Sequence, residues 1–185
     1  MKMKLFMVLL GCKPEGRHTE QHDVFFGIAP ALKDLIPSFK AFWPEAKGKI
    51  HVDGWREVNV ANGYQVVIAP KDEKNEASSG ELYFINLGGY KKGEFEEFHY
   101  KLVIAANELS KAIQIAKDTA FYKHTHFEGA NSHVDDKYGI DVDDIYTIEE
   151  ILAPEFKNNY SIHLNLTNAL VEDPLHLGYF KLENL

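Results

Sequence analysis

The chain has 185 residues, 45% of them apolar and 26% charged, with a formal net charge of −8 and a single cysteine. That balance is the composition of a folded globular protein, and its acidity excludes a phosphate-backbone partner, which requires a footprint rich in lysine and arginine. One cysteine permits no internal disulfide and points to a reducing, cytoplasmic setting, while no apolar run approaches the ~20 residues of a membrane helix.

Met1-Lys2-Met3-Lys4, the apolar run Leu5–Leu10 and then Gly11-Cys12 together have the outline of a lipoprotein signal. The run is shorter than the ~7–15 residues of such a region. Its pattern also occurs again inside the chain, as Leu82–Gly89. A segment built twice is expected to be a strand rather than a cleaved address.

The repeat extends well beyond that strand. Gly16, Glu20 and His22 return as Gly93, Glu97 and His99, and the register holds through Ala29/Ala106, Leu32/Leu109, Ile36/Ile113 and Lys40/Lys117. After a slip, His51-Val52-Asp53 aligns with His133-Val134-Asp135, followed by Val60/Val142 and Tyr64/Tyr146. The chain therefore reads as a tandem duplication: a first repeat over 1–70, a polar linker over 71–80, and a second repeat over 81–185 with an insertion and an extra C-terminal strand.

In chain order, Leu5–Leu10 is a strand buried on both faces and closed by a glycine, and Gly11–Gly16 with Pro14 is a turn. His22–Ile28 forms the second arm of a hairpin. Pro30 suits the first turn of a helix, in which Leu32, Leu35, Ile36, Phe39 and Phe42 keep helical spacing up to Pro44, with a bend expected at Pro37. A strand begins at His51, and Asn62-Gly63 marks a tight hairpin between Val58–Val60 and Tyr64. In the second copy the helical stripe is Leu109, Ile113, Ala116 and Ala120, and the third strand starts at His133. Asp143–Leu152 reads as a short helix ending before Pro154, Tyr160–Leu166 stands in for Tyr64–Ala69, and Gly178–Leu182 adds a last strand.

Each repeat is thus β-β-α-β-β. The helical crossover is expected to make the second and third strands parallel. Each repeat alone is small for a stable core, so the two are expected to pack as one pseudo-symmetric α/β or α+β domain with mixed sheets.

The combination of Leu-Leu-Gly, Glu20-Gln21-His22-Asp23-Val24-Phe25-Phe26-Gly27, Lys40-Ala41-Phe42-Trp43-Pro44 and His51-Val52-Asp53-Gly54-Trp55 resembles the bacterial domain-of-unknown-function family 1543 (DUF1543). The likeness runs through both copies, and domains of that family occur singly or in pairs. It implies no activity, cofactor or catalytic residue.

Chemistry concentrates in Glu20-x-His22 with His51-x-Asp53, and in the echo Glu97-x-His99 with His133-x-Asp135. Residues two apart in a strand share a face, so each pair presents its imidazole and carboxylate on one side. Brought together on neighbouring strands, four such groups could ligate a divalent ion or act as general acid and base. The plainer account is a set of hydrogen-bonded pairs holding strands together, which duplication favours because fold-determining positions persist in both copies.

A second set, His124-x-His126 with His133 and Asp135, offers His-x-His on a strand to zinc, but no metallohydrolase signature follows it. The carboxylates Asp135, Asp136, Asp141, Asp143 and Asp144 lack calcium-loop spacing and read as solvated turn and cap residues. Neither glycine turn has the Gly-x-Gly-x-x-Gly pattern of a nucleotide site. Cys12 has no counterpart in the second copy and reads as a passive small residue.

Two functions follow. One is a binding or assembly module that self-associates as a homo-oligomer, without nucleic-acid or membrane partners. The other is a small metal-dependent or His/Asp-based hydrolase with its site near the repeat junction. No cofactor is identifiable from the residues.

Overall fold

A computed structural model of the chain describes residues 2–72, 78–90, 93–125, 141–168, 171 and 173–185. The elements are β1 (Lys4–Cys12), β2 (Gln21–Ala29), α1 (Ile36–Phe42), β3 (His51–Glu57), β4 (Val60–Ala61), β5 (Tyr64–Pro70), β6 (Glu81–Tyr90), β7 (Glu97–Ala106), α2 (Leu109–Thr125), β8 (Asp141–Thr147), α3 (Ile148–Ile151), α4 (Pro154–Lys157), β9 (Tyr160–Leu166) and β10 (His176–Lys181). They build a mixed α/β structure with three antiparallel sheets, divided into two compact units, Met1–Ala77 with Leu152–Leu185, and Ser78–Ile151.

This division departs from the 1–70 and 81–185 repeats expected from the sequence. β9 pairs with β5 and β10 pairs with β3, so the C-terminal strands complete the two sheets of the first unit. Without them β3 and β5 would each present a row of unpaired backbone groups. The Asp173 carboxylate reinforces the attachment, accepting hydrogen bonds from the backbone N–H groups of Asn59 (2.6 Å) and Val60 (3.0 Å) and from the Asn59 amide (2.8 Å).

The expected mixed sheets are also replaced by antiparallel ones. In the first unit the order is β10-β3-β1-β2, with β1 antiparallel to both β2 and β3. β2 and β3 do run in the same direction, but β1 lies between them. The hairpin places β2 on one edge of β1, and the crossover through α1 delivers β3 to the other.

One face of this sheet carries Phe6, Val8, Leu10 and Phe25, all buried, and Leu35 of the 3-10 turn before α1 and Phe39 of α1 pack there. Phe25 meets Phe39 edge-on at 5.1 Å and Phe42 at 5.4 Å, and Phe156 of α4 joins at 6.4 Å. Pro37 does not bend α1. It sits in the first turn, behind a 3-10 turn at Leu32–Leu35, where a missing N–H costs nothing. The Asn62-Gly63 hairpin forms as read: Ala61 pairs with Tyr64 and both turn residues have positive φ, 45° and 77°.

The second unit has the order β7-β6-β8 with α2 against it. Its core is Tyr83, Ile85, Leu87, Ile104, Ala106, Ala112 and Ala116, with Ile115 packed alongside. The helix is therefore turned from the expected Leu109–Ile113 stripe, and Leu109 is left 45% exposed. Asp141–Thr147 is a strand, not the start of a helix. Val142 opposes Leu87 and Ile145 opposes Ile85, with a bulge between these pairs. The extra residue converts the two-residue spacing of a strand into a three-residue one, which imitates a helix in sequence.

Candidate metal centre

Gly11 is the centre of the arrangement, and it lies inside β1 rather than in a turn. Its register partners are His22 on β2 and His51 on β3. Directly opposed residues in an antiparallel sheet project from the same face, so a His–Gly–His row crosses three strands on the face away from α1. A β3 bulge at this point, between the pairs Leu10/Val52 and Leu9/Gly54, inserts Asp53 as the extra residue beside the row. Glu20 immediately precedes β2 and reaches over from the other side.

The glycine makes the convergence possible. A Cβ built on Gly11 would collide with Asp53 Oδ2 and His51 Nε2 and would stand 2.9 Å from Glu20 Oε1. With that space open, His51 Nε2 lies 2.5 Å from Glu20 Oε1 and 3.1 Å from Asp53 Oδ2, and His22 Nε2 lies 3.2 Å from Asp53 Oδ2. Donors bonded at ~2.0–2.1 Å to a tetrahedral ion stand roughly 3.3–3.4 Å apart, so the contacts around Asp53 already have the spacing of ligands sharing one metal.

Among the described residues, Glu20, His51 and Asp53 are the group whose donor atoms all fall within 4.8 Å of one another. His51 Nε2 and Asp53 Oδ2 are sealed from solvent, and their polar neighbours are one another, the Glu20 carboxylate and the His22 imidazole, at ion-pair distances but without well-directed hydrogen bonds. Buried polar atoms of a folded protein ordinarily make such bonds. The His51 ring is in turn covered on one side by Tyr179 of β10, centroids 4.3 Å apart, and next to it Trp55 stacks on His176 at 3.9 Å.

The second unit repeats part of this pattern with different residues. Gly88 of β6 stands between His99 on β7 and Asp141 on β8, and a bulge again supplies a carboxylate, here Asp143, over the glycine. His99 Nδ1 lies 3.2 Å from Asp143 Oδ2, and its Nε2 lies 4.0 Å from Glu97. By register Asp141 and Asp143 stand where His51 and Asp53 stand in the first unit. His126, His133, Asp135 and Asp136 lie outside the described residues. His124 falls in the last turn of α2, so His124-x-His126 does not begin on a strand.

Cys12 ends β1 on the opposite face, fully buried, where burial first and the Glu20 charge second push its thiol above the ordinary value. A shallow hollow of about 400 Å³ lined by Arg17, Gln21, Asp23, Phe42, Trp43 and Glu45 lies beside β2. Gln21 and Asp23 alternate with His22 along the strand, so this hollow opens on the α1 side, away from the histidine row.

Residues 17–68 match the family described as Domain of Unknown Function (DUF1543). The DUF1543 segment contains all four of Glu20, His22, His51 and Asp53 but excludes β1, and with it Gly11. No curated protein matches the chain. The crystal structure of a protein Il1583 from Idiomarina loihiensis is similar in fold, with a TM-score of 0.60, 22% sequence identity and 96% of each chain covered.

Proposed function

We propose that the first unit is a binding module for a divalent transition-metal ion of the zinc type, held by Glu20, His51 and Asp53 with His22 alongside. One observation carries this reading: an imidazole nitrogen and a carboxylate oxygen, both shut off from water, meet a second carboxylate over a glycine, with the donor atoms of all three residues within 4.8 Å of one another. Two carboxylates and an imidazole suit zinc, whereas calcium and magnesium prefer oxygen alone. The test is metal analysis of untagged protein after incubation with zinc and extensive dialysis. The expected result is one zinc per chain in the wild type and none bound at this site in His51→Ala, with the far-ultraviolet circular dichroism unchanged. Zinc retained by His51→Ala, or absent from the wild type, overturns the reading.

We further read the chain as two tandem DUF1543-type copies of bacterial origin. The strand orders β2-β1-β3 and β7-β6-β8, each with a glycine and a bulged aspartate at the same register, support a duplication. Self-association into a homo-oligomer in the cytoplasm completes the proposal. Its support is β10, a sheet-edge strand on and beside which Leu175, Leu177 and Tyr179 are exposed.

A further inference from the structure

We propose that the hollow beside β2 is a second binding site, separate from the metal centre, for a free amino acid with a cationic side chain, of which lysine is the type. The hollow, about 400 Å³ in volume, lies among three segments: the turn ending at Arg17, the start of β2 at Asp23, and the end of α1 at Phe42, Trp43 and Glu45. Backbone bonds hold two of these walls in shape. Arg17 N–H donates to the Pro14 carbonyl (3.2 Å), while Trp43 N–H donates to the Phe39 carbonyl (3.3 Å) and the Trp43 carbonyl accepts from Ala46 N–H (3.2 Å). On the protein surface a Lys47–Glu15 ion pair of 2.6 Å ties the same two segments together, and its charges cancel.

Size and depth limit the occupant. The volume falls at the low end of the roughly 300–1,000 Å³ of small-molecule sites. A shallow hollow cannot enclose a large apolar body, so a small ligand must be held there mainly through its charges.

Charge complementarity names the class. Among the described residues, the Arg17 guanidinium and the Glu45 carboxylate have no ion pair or side-chain hydrogen bond, and Asp23 accepts only the Val24 N–H (2.7 Å), through one of its two oxygens. The lining therefore offers one cation and two anions. Free lysine carries the inverse set, one carboxylate and two ammonium groups. The forked guanidinium of Arg17 suits the carboxylate, and Asp23 and Glu45 suit the ammonium groups. The methylene chain between them has the rings of Phe42 and Trp43 to lie on, and an aromatic face also attracts a nearby ammonium. Phe42 is 42% exposed, so its ring is available for that contact. Lysine is a net cation and the chain carries −8, so approach is favoured as well.

The test is isothermal titration calorimetry of the untagged full chain with L-lysine. One site per chain is expected. Binding should be at least about 10-fold weaker for L-norleucine, which lacks the side-chain ammonium, and for cadaverine, which lacks the carboxylate. Arg17→Ala and Glu45→Gln alter exposed side chains and are each expected to weaken lysine at least about 10-fold with the melting temperature unchanged. His51→Ala is expected to bind lysine as the wild type does, because the histidine row lies on the other face of the sheet. No lysine binding by the wild type overturns the site, as does norleucine or cadaverine binding as tightly as lysine, or full lysine affinity in both hollow variants. Loss of lysine binding in His51→Ala would place the amino acid at the metal centre and overturn the proposal too. Nα-acetyl-L-lysine binding as tightly as lysine would overturn the free amino acid in favour of a polypeptide ending in lysine.

Discussion

Asp53 Oδ2 lies where a side chain on Gly11 would have to go, although the two residues belong to different strands. A strand glycine ordinarily weakens a sheet, and it often marks the close approach of another group. The approaching groups here are the donors themselves. Gly11→Ala is therefore expected to abolish zinc binding and to cost about 1–3 kcal/mol of stability through overpacking. Metal content and urea unfolding of the same preparation check both parts; an alanine variant that keeps its zinc would show that the donors converge elsewhere.

Metal binding should stabilise the folded chain by mass action. Free zinc at about 100 times its dissociation constant adds roughly 2.7 kcal/mol. Differential scanning calorimetry should show a rise in melting temperature with zinc, reversed by a chelator and missing in Asp53→Asn. The rise should shrink on acidification, because imidazole and carboxylate ligands must be unprotonated to bind.

The C-terminal strands belong to the first unit through Asp173 as well as through backbone pairing. Asp173→Ala leaves the N–H groups of Asn59 and Val60 without their acceptor. A loss of about 2 kcal/mol is expected in chemical denaturation, since hydrogen bonds to charged groups contribute roughly 1.5–3 kcal/mol each and water recovers part of it. Hydrogen exchange at those two amides should rise before exchange in β1. An unchanged midpoint would show the strand ladder to be sufficient alone.

Glu57 sits at the other end of β3. Burial alone would raise its pKa, but hydrogen bonds from Lys4 and Asn59, with the Lys4 charge, outweigh burial and hold it below 4.5. A carboxylate depressed in the folded state stabilises the protein above its unfolded value and loses that contribution as pH falls through the folded one. Glu57→Gln should accordingly be less stable than wild type at pH 7, and the gap should close as pH falls below about 4.5. Parallel unfolding curves over that range are the measurement, and a gap that widens toward acid would contradict the assignment.

The local elements were largely legible. The short apolar run Leu5–Leu10, the Asn62-Gly63 turn and the helical spacing around Leu35 and Phe39 each encode their own geometry over a few residues, and all three form. The misread elements involve an added residue or a distant partner. The stretch from Asp143 reads as a helix until a bulge is known to lie between Val142 and Ile145, and Leu109 seems part of a buried stripe until the sheet beneath α2 shows which way the helix is turned.

The sequence by itself determined that imidazoles and carboxylates recur in pairs beside a repeated apolar strand, because two-residue spacing is a property of the strand alone. Only the tertiary structure decided that β1 separates β2 from β3, that Gly11 is the gap through which Glu20, His22, His51 and Asp53 approach one another, and that Leu152–Leu185 returns to the first unit. Those outcomes depend on which edge of β1 the crossover from α1 reaches and on which open strand edges find partners, and such choices are made between segments far apart in the chain.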